Sequence, residues 1–187
     1  MHHTHRANPD LEGIASEIVI FTPEECEEII SLALRTQEQD ADPLPSHRLG
    51  VDFSLCSATQ ILMDEKNFPG LYEHIKKVFI VGNFLKFHYT SMTIQVMRYR
   101  KGDFYMAHTD WSVNKNKRKL SMSIQLSPSE DYKGGEVLIH AGPESVSLSK
   151  EQGVGVVWPS WLLHESIPLV SGERWVLVAW AEGQPFV

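Results

Sequence analysis

Apolar and polar residues recur along this chain with two different periods, and the change of period divides it. Ile18-Val19-Ile20-Phe21 is a strand-sized apolar run, and Thr22-Pro23 follows as a helix start. Thr22 can cap the free N–H groups, while Pro23 at the first helical position loses no hydrogen bond. Glu24, Glu25, Glu27 and Glu28 suit the positive end of the helix dipole and read as a solvated helix start. Cys26, Ile29, Ile30 and Ala33 repeat at helical spacing, which predicts an amphipathic helix ending near Thr36. Residues 40–49, with Pro43 and Pro45, read as a loop. A second helix-rich stretch is expected over about 68–88, bent near Gly82. Its Leu71, Ile75, Val78, Phe79, Phe84 and Leu85 would face the core.

From Thr93 onward the period becomes two and stays so. Strands are expected at 93–100, 105–110, 120–127, 136–140, 145–149, 153–158, 164–168 and 174–181. Turn signals separate them: Lys101-Gly102-Asp103, 114–117, Lys133-Gly134-Gly135, Ala141-Gly142-Pro143 and Ser171-Gly172. The pattern predicts an α+β, mainly β fold. Its core would be an antiparallel double-sheet jelly roll, with the N-terminal helices buttressing one outer face. No internal repeat is evident, so 11–187 reads as one domain after an aperiodic, flexible tail at 1–10.

Composition narrows the classes. The chain has 187 residues, 42% hydrophobic and 22% charged, which suits a folded globular protein. The net charge is 17 − 24 = −7, so bulk nucleic-acid binding is not expected. No apolar run reaches bilayer length, and no secretory leader opens the sequence. Two cysteines, Cys26 and Cys56, cannot build a disulfide framework, and a reducing cytoplasm is the expected compartment.

Nine histidines are many. His2, His3 and His5 belong to the tail, and His47, His74, His88 and His140 read as structural. His108-Thr109-Asp110 differs, because positions i and i+2 of a strand share a face and bring an imidazole and a carboxylate together. With His164 they would make a two-histidine, one-carboxylate triad that leaves coordination sites open on iron(II). Arg174 heads an apolar row with Val176, Val178 and Trp180, opposite Trp175, Leu177 and Ala179. A charge at the head of such a row needs an anionic partner, and a carboxylate fits it bidentately. Gln95, Met97 and Tyr99 share one face of their strand. Ser121, Ser123, Gln125 and Ser127 form a polar face that is either solvated or the wall of a polar cavity. Lys115, Lys117, Arg118 and Lys119 read as a solvated hairpin tip in preference to an attractor for an acidic partner.

These features together resemble the catalytic core of the prolyl-4-hydroxylase-like iron(II)/2-oxoglutarate dioxygenases, the bacterial and phage PKHD-type hydroxylases in particular. The resemblance covers about 93–183. It rests on Gln95-Val96-Met97-Arg98-Tyr99, His108-Thr109-Asp110, Ser123-Ile124-Gln125-Leu126-Ser127 and Asp131-Tyr132-Lys133-Gly134-Gly135-Glu136. Trp158-Pro159-Ser160 ahead of His164, and Gly172-Glu173-Arg174 leading to Trp180, complete it. It implies that His108, Asp110 and His164 bind iron(II). Arg174 would hold the distal carboxylate of 2-oxoglutarate, with Tyr99 and Gln125 as further polar contacts. Trp180, Tyr105 and Trp111 would stand near the metal. Oxygen is then the second cosubstrate, and ascorbate the accessory reductant the family admits. The implied reaction is hydroxylation of a C–H bond.

Three readings follow. The first is a hydroxylase of a peptidyl residue, proline foremost, with a peptide or protein as partner. The second keeps the chemistry and takes a free amino acid or another small metabolite. The third is a metal-stabilised jelly-roll binding module without turnover, against which the joint presence of Arg174 and the triad argues. A zinc hydrolase is disfavoured, since no glutamate stands at general-base spacing beside the ligands.

Overall fold

The computed structural model describes residues 4–6, 15–39, 56–81, 86–112 and 117–185. Twelve strands and two α-helices follow one another among them. They are β1 (Thr4–Arg6), β2 (Ser16–Val19), α1 (Pro23–Gln39), β3 (Thr59–Leu62), α2 (Pro69–Val81), β4 (Tyr89–Arg100), β5 (Tyr105–His108) and β6 (Arg118–Gln125). Then come β7 (Tyr132–Gly134), β8 (Val137–His140), β9 (Val146–Ser147), β10 (Val154–Pro159), β11 (Leu163–Ser166) and β12 (Leu169–Gly183). One sheet runs β1-β2-β10-β6-β12-β4-β3, with β7 also paired to β12. A smaller sheet runs β5-β11-β8-β9, and every pairing is antiparallel. The two sheets are the expected jelly roll.

Helix α1 begins as its sequence dictates. Thr22 Oγ1 accepts from Glu25 N–H at 3.3 Å while Glu25 Oε2 accepts from Thr22 N–H at 2.8 Å, a reciprocal capping box. Cys26, Ile29 and Ala33 of α1 and Ile75, Val78 and Phe79 of α2 pack on Ile94, Val96, Ile124, Leu177 and Ala179. Both helices therefore cover the outer face of the large sheet. The inner-row residues of β4, β6 and β12 are left to face the small sheet, and a site can form between the layers.

Several boundaries depart from the sequence expectation. Thr4–Arg6, inside the expected tail, pairs with β2. The second helix is described over Pro69–Val81, and His88 lies outside any helix just before β4, its Nδ1 3.0 Å from the Tyr89 carbonyl. Gly82, Phe84, Leu85, His47, Lys115, the 40–49 loop and the rest of 1–10 lie outside the described residues. Ser171-Gly172 and Lys133-Gly134, read as turns, are strand residues that pair β12 with β7. Gly172 has φ 81°, and a Cβ there would meet the Asp131 carbonyl oxygen at 2.0 Å. Glycine marks a close backbone approach inside a strand here. Both cysteines are buried and free. No helix among the described residues is long and apolar enough to cross a membrane.

Candidate metal centre and cosubstrate pocket

Strands β5 and β11 pair with His108 directly opposite His164, so backbone register alone sets the two imidazoles side by side. Their ring centroids are 4.4 Å apart. Asp110 lies beyond the end of β5. Its N–H and that of Trp111 both donate to the Ser160 carbonyl at 2.9 Å. Ser160 belongs to the turn feeding β11, so one carbonyl ties the aspartate to the segment that carries His164. The expectation that all three groups sit on strands is corrected at Asp110. Side chains two apart on a regular strand run parallel, and convergence needs the chain to bend.

The histidine Nε2 atoms and the Asp110 carboxylate converge. His108 Nε2 is 3.6 Å from Oδ1 and His164 Nε2 is 3.4 Å from Oδ2. One ligand atom from each residue falls within 4.8 Å of the other two. His108 Nδ1 lies 2.8 Å from the Met106 carbonyl and His164 Nδ1 lies 2.9 Å from that of Leu162. A carbonyl accepts only, so both Nδ1 atoms carry hydrogen and both Nε2 atoms offer lone pairs to a shared point. Ser121 Oγ donates to Asp110 Oδ2 at 2.6 Å. The Tyr105 ring stacks on His108 at 3.9 Å, and Trp158 meets His164 edge-on at 5.0 Å.

Burial pushes the Asp110 carboxyl up. The close approach of His108, the neighbouring His164 and the hydrogen bond from the Ser121 hydroxyl outweigh that and hold it below the usual carboxylate range. Burial pushes His164 down, only partly opposed by Asp110, which favours the neutral imidazole that a metal requires. Arg118 adds a cation 3.7 Å from Asp110 Oδ1, with its guanidinium 4.0 Å from the Trp180 ring. Arg118 and Lys119 were expected on a solvated hairpin tip. They sit instead on β6, Arg118 half-buried and Lys119 buried, because β6 begins two residues earlier than its apolar alternation suggests. Lys117 is exposed as expected.

Between the sheets lies a cavity that opens to solvent, lined by the triad at one part and Arg174 at another. Arg174 is 1% exposed. Its Nε donates to Gln125 Oε1 at 3.1 Å and its Nη1 to Ser166 Oγ at 3.2 Å, while Nη2 is buried with no partner. No carboxylate among the described residues reaches it. The Tyr99 ring lies 5.1 Å from the guanidinium, and burial raises its hydroxyl pKa, so the phenol stays protonated.

The structure thus brings His108, Asp110, His164, Arg174, Tyr99, Tyr105 and Trp180 to one cavity. Gln125 reaches it through Arg174, whereas Trp111 follows Asp110 without lining the space. The polar face of β6 is a wall, not a solvent surface: Ser121, Ser123, Gln125 and Ser127 are all buried. Ser166 was missed, although it lies two positions after His164 on the same strand face. His140, read as structural, pairs with Glu165 at 2.9 Å.

Comparison with known proteins agrees with this geometry. The family model described as the 2OG-Fe(II) oxygenase superfamily matches residues 94–182. Just under half of this chain, residues 94–182, is thus similar to a 2OG-Fe(II) oxygenase domain. A PKHD-type hydroxylase from Idiomarina loihiensis is 28% identical over 127 residues, covering 67% of this chain and 54% of that protein. One from Parvibaculum lavamentivorans is 39% identical over 90 residues, 46% of this chain and 40% of its own. This chain therefore spans only about half the length of such relatives. The fold of the oxygenase domain and its N-terminal helices is shared with a Pseudomonas putida prolyl-4-hydroxylase at TM-score 0.72 and 17% identity, covering 94% and 96% of the two chains. A Trichoplax adhaerens prolyl hydroxylase, solved with a hypoxia inducible factor peptide fragment, matches at TM-score 0.73 and 18% identity, covering 92% and 86%.

The residues present fit the groups this superfamily uses. Two neutral imidazoles and one carboxylate are the donor set of a facial iron(II) site. The unpaired Nη2 of Arg174 is the complement of a carboxylate.

Proposed function

We propose that this chain is an iron(II)- and 2-oxoglutarate-dependent hydroxylase acting on a peptidyl residue, with proline as the substrate. A single domain over 11–187, joined in its large sheet by Thr4–Arg6 and with its core at about 93–183, carries the reaction in the cytoplasm. The observation that carries this reading is the pairing, in one cavity, of the His108-Asp110-His164 cluster with a buried arginine that lacks an anion. The unpaired Arg174 donor argues for an anionic ligand in this cavity, since burying such a group without a partner costs stability. The peptide assignment is supported by the PKHD-type relatives and by the prolyl hydroxylases that share the fold.

In this reading His108, Asp110 and His164 hold the iron. Iron supplies activation of oxygen for attack on a C–H bond, coupled to conversion of 2-oxoglutarate to succinate and carbon dioxide. The protein's share is positioning and exclusion of water. The Met106 and Leu162 carbonyls fix the histidine rings, and Ser121 fixes Asp110. Arg174 takes the distal carboxylate, held in place by Gln125 and Ser166. The Tyr99 hydroxyl donates to the cosubstrate. Val176 and Val178 line the cavity wall and keep water out.

The test is an anaerobic titration with iron(II) and then 2-oxoglutarate, following the metal-to-ligand charge-transfer band. The band should be absent in His108→Ala and weakened in Arg174→Ala. Metal binding in the wild type without any band would overturn the reading. Succinate release stimulated by a proline-containing peptide, and not by free proline, would then support the peptide substrate.

A further inference from the structure

Three buried donors line the cavity without a partner: Arg174 Nη2, Ser123 Oγ and Trp158 Nε1. Arg174 is already explained by an anion. The other two have no place in the roles assigned so far. An indole N–H donates only, and a serine hydroxyl can donate, so this wall as a whole asks for acceptors. A native cavity does not leave several such groups unpaired without cause, because each unmade hydrogen bond costs stability.

Their place in the fold says where the acceptors sit. Along β6, Ser121 holds the metal-side Asp110 and Gln125 holds Arg174. Ser123 stands between them on the same face. In the pairing of β10 with β6, Trp158 lies opposite Ser121 and Val156 opposite Ser123, so Trp158 and Ser123 are diagonal neighbours. Trp158 also touches the His164 ring. Ser123 therefore lies on the stretch of wall between the metal cluster and Arg174, and Trp158 lies beside it at the metal end.

We propose that Ser123 and Trp158 are specificity-determining donors for the 2-oxo acid itself. They would hydrogen-bond the oxygens of its acid end while Arg174 holds the distal carboxylate. The cavity then selects an acceptor-rich dianion by three separated donors rather than by one cation. This rests on the oxygenase reading above, and the experiment separates the two.

Calorimetric titration of the manganese(II)-loaded chain with 2-oxoglutarate gives a readout independent of turnover. Ser123→Ala and Trp158→Phe each remove one donor and little volume, and Arg174→Met serves as the control for the parent reading. Each of the first two should weaken 2-oxoglutarate roughly tenfold, as loss of a hydrogen bond to a charged group does. Manganese affinity should not change. The thermal midpoint of the ligand-free protein should hold or rise in both variants, because an unpaired buried polar atom has been removed. Lower affinity with undiminished stability is a signature that mere packing does not produce. Wild-type affinity in either variant, or a parallel fall of affinity and thermal midpoint, overturns the proposal while leaving the parent reading intact. A wild type that ignores 2-oxoglutarate, or an Arg174→Met that binds it undiminished, overturns both.

Discussion

Gln125 accepts the Arg174 Nε–H at 3.1 Å, and this bond decides which edge of the guanidinium is left to offer. The Tyr132 hydroxyl donates to the same Gln125 oxygen at 3.4 Å, so the amide is held from behind. Arg174 is therefore oriented before any ligand arrives, and its free Nη2 is its contribution to the cavity.

Gln125 accordingly acts through Arg174. Gln125→Leu should weaken 2-oxoglutarate about fivefold, the worth of one ordinary hydrogen bond near 1 kcal/mol. Gln125→Glu should weaken it further, since the new carboxylate neutralises Arg174 and competes with the ligand. Binding titrations of both variants decide the matter, and Gln125→Glu binding as tightly as wild type would sink the positioning role.

Arg118 bears on the metal. Its cation lies 3.7 Å from Asp110 Oδ1 and is only partly exposed, so it draws on the carboxylate a metal would use and repels the incoming dication. Arg118→Met keeps the packing against Trp180 and removes the charge. Manganese(II) should then bind tighter, by about threefold or more, with the gain shrinking as salt is raised. Unchanged or weaker metal binding would show that the pair carries no electrostatic weight.

The two thiols should be inert in the folded protein. Burial pushes Cys26 up to about 12 and Cys56 up to about 11, and both are fully buried. At about pH 8 even Cys56 is thiolate in only about one part in a thousand. A colorimetric disulfide reagent should label neither thiol natively and both in denaturant. Rapid labelling of either one in the native protein would contradict this burial.

Glu173 makes the start of the Arg174 segment acid-sensitive. It accepts from Arg98 Nε at 2.8 Å and from Trp175 Nε1 at 2.8 Å. Burial raises its pKa, but the Arg98 and Trp175 hydrogen bonds and the Arg98 and Arg100 charges together lower it more. A depressed carboxylate adds stability that is present above its unfolded pKa and is lost as pH falls through its folded one. The side chain is 38% exposed, so screening limits the effect to about 1 kcal/mol or less. Glu173→Gln should lower the thermal midpoint near pH 7, and the gap to wild type should close near pH 3. A gap that stays constant with pH would assign the effect to packing.

The sequence by itself determined the alternation that builds the sheets and the capped first helix, and it singled out His108, Asp110, His164 and Arg174, which the structure brings to one cavity. Those follow from local chemistry: side-chain period, capping residues and the donor types a metal or an anion needs. The inward rows of β4 and β12 were legible for the same reason. Whether the serine row of β6 met water or a cavity depended on what packs across from it, and one strand's pattern is identical in both cases. The bend at Asp110, the pairing of Gln125 and Ser166 with Arg174, and the approach of Arg118 to Asp110 all join residues distant in sequence or dependent on where a strand ends. Only the tertiary structure decided them, because register between strands and the direction of a side chain at a bend are set by long-range pairing that local pattern does not encode.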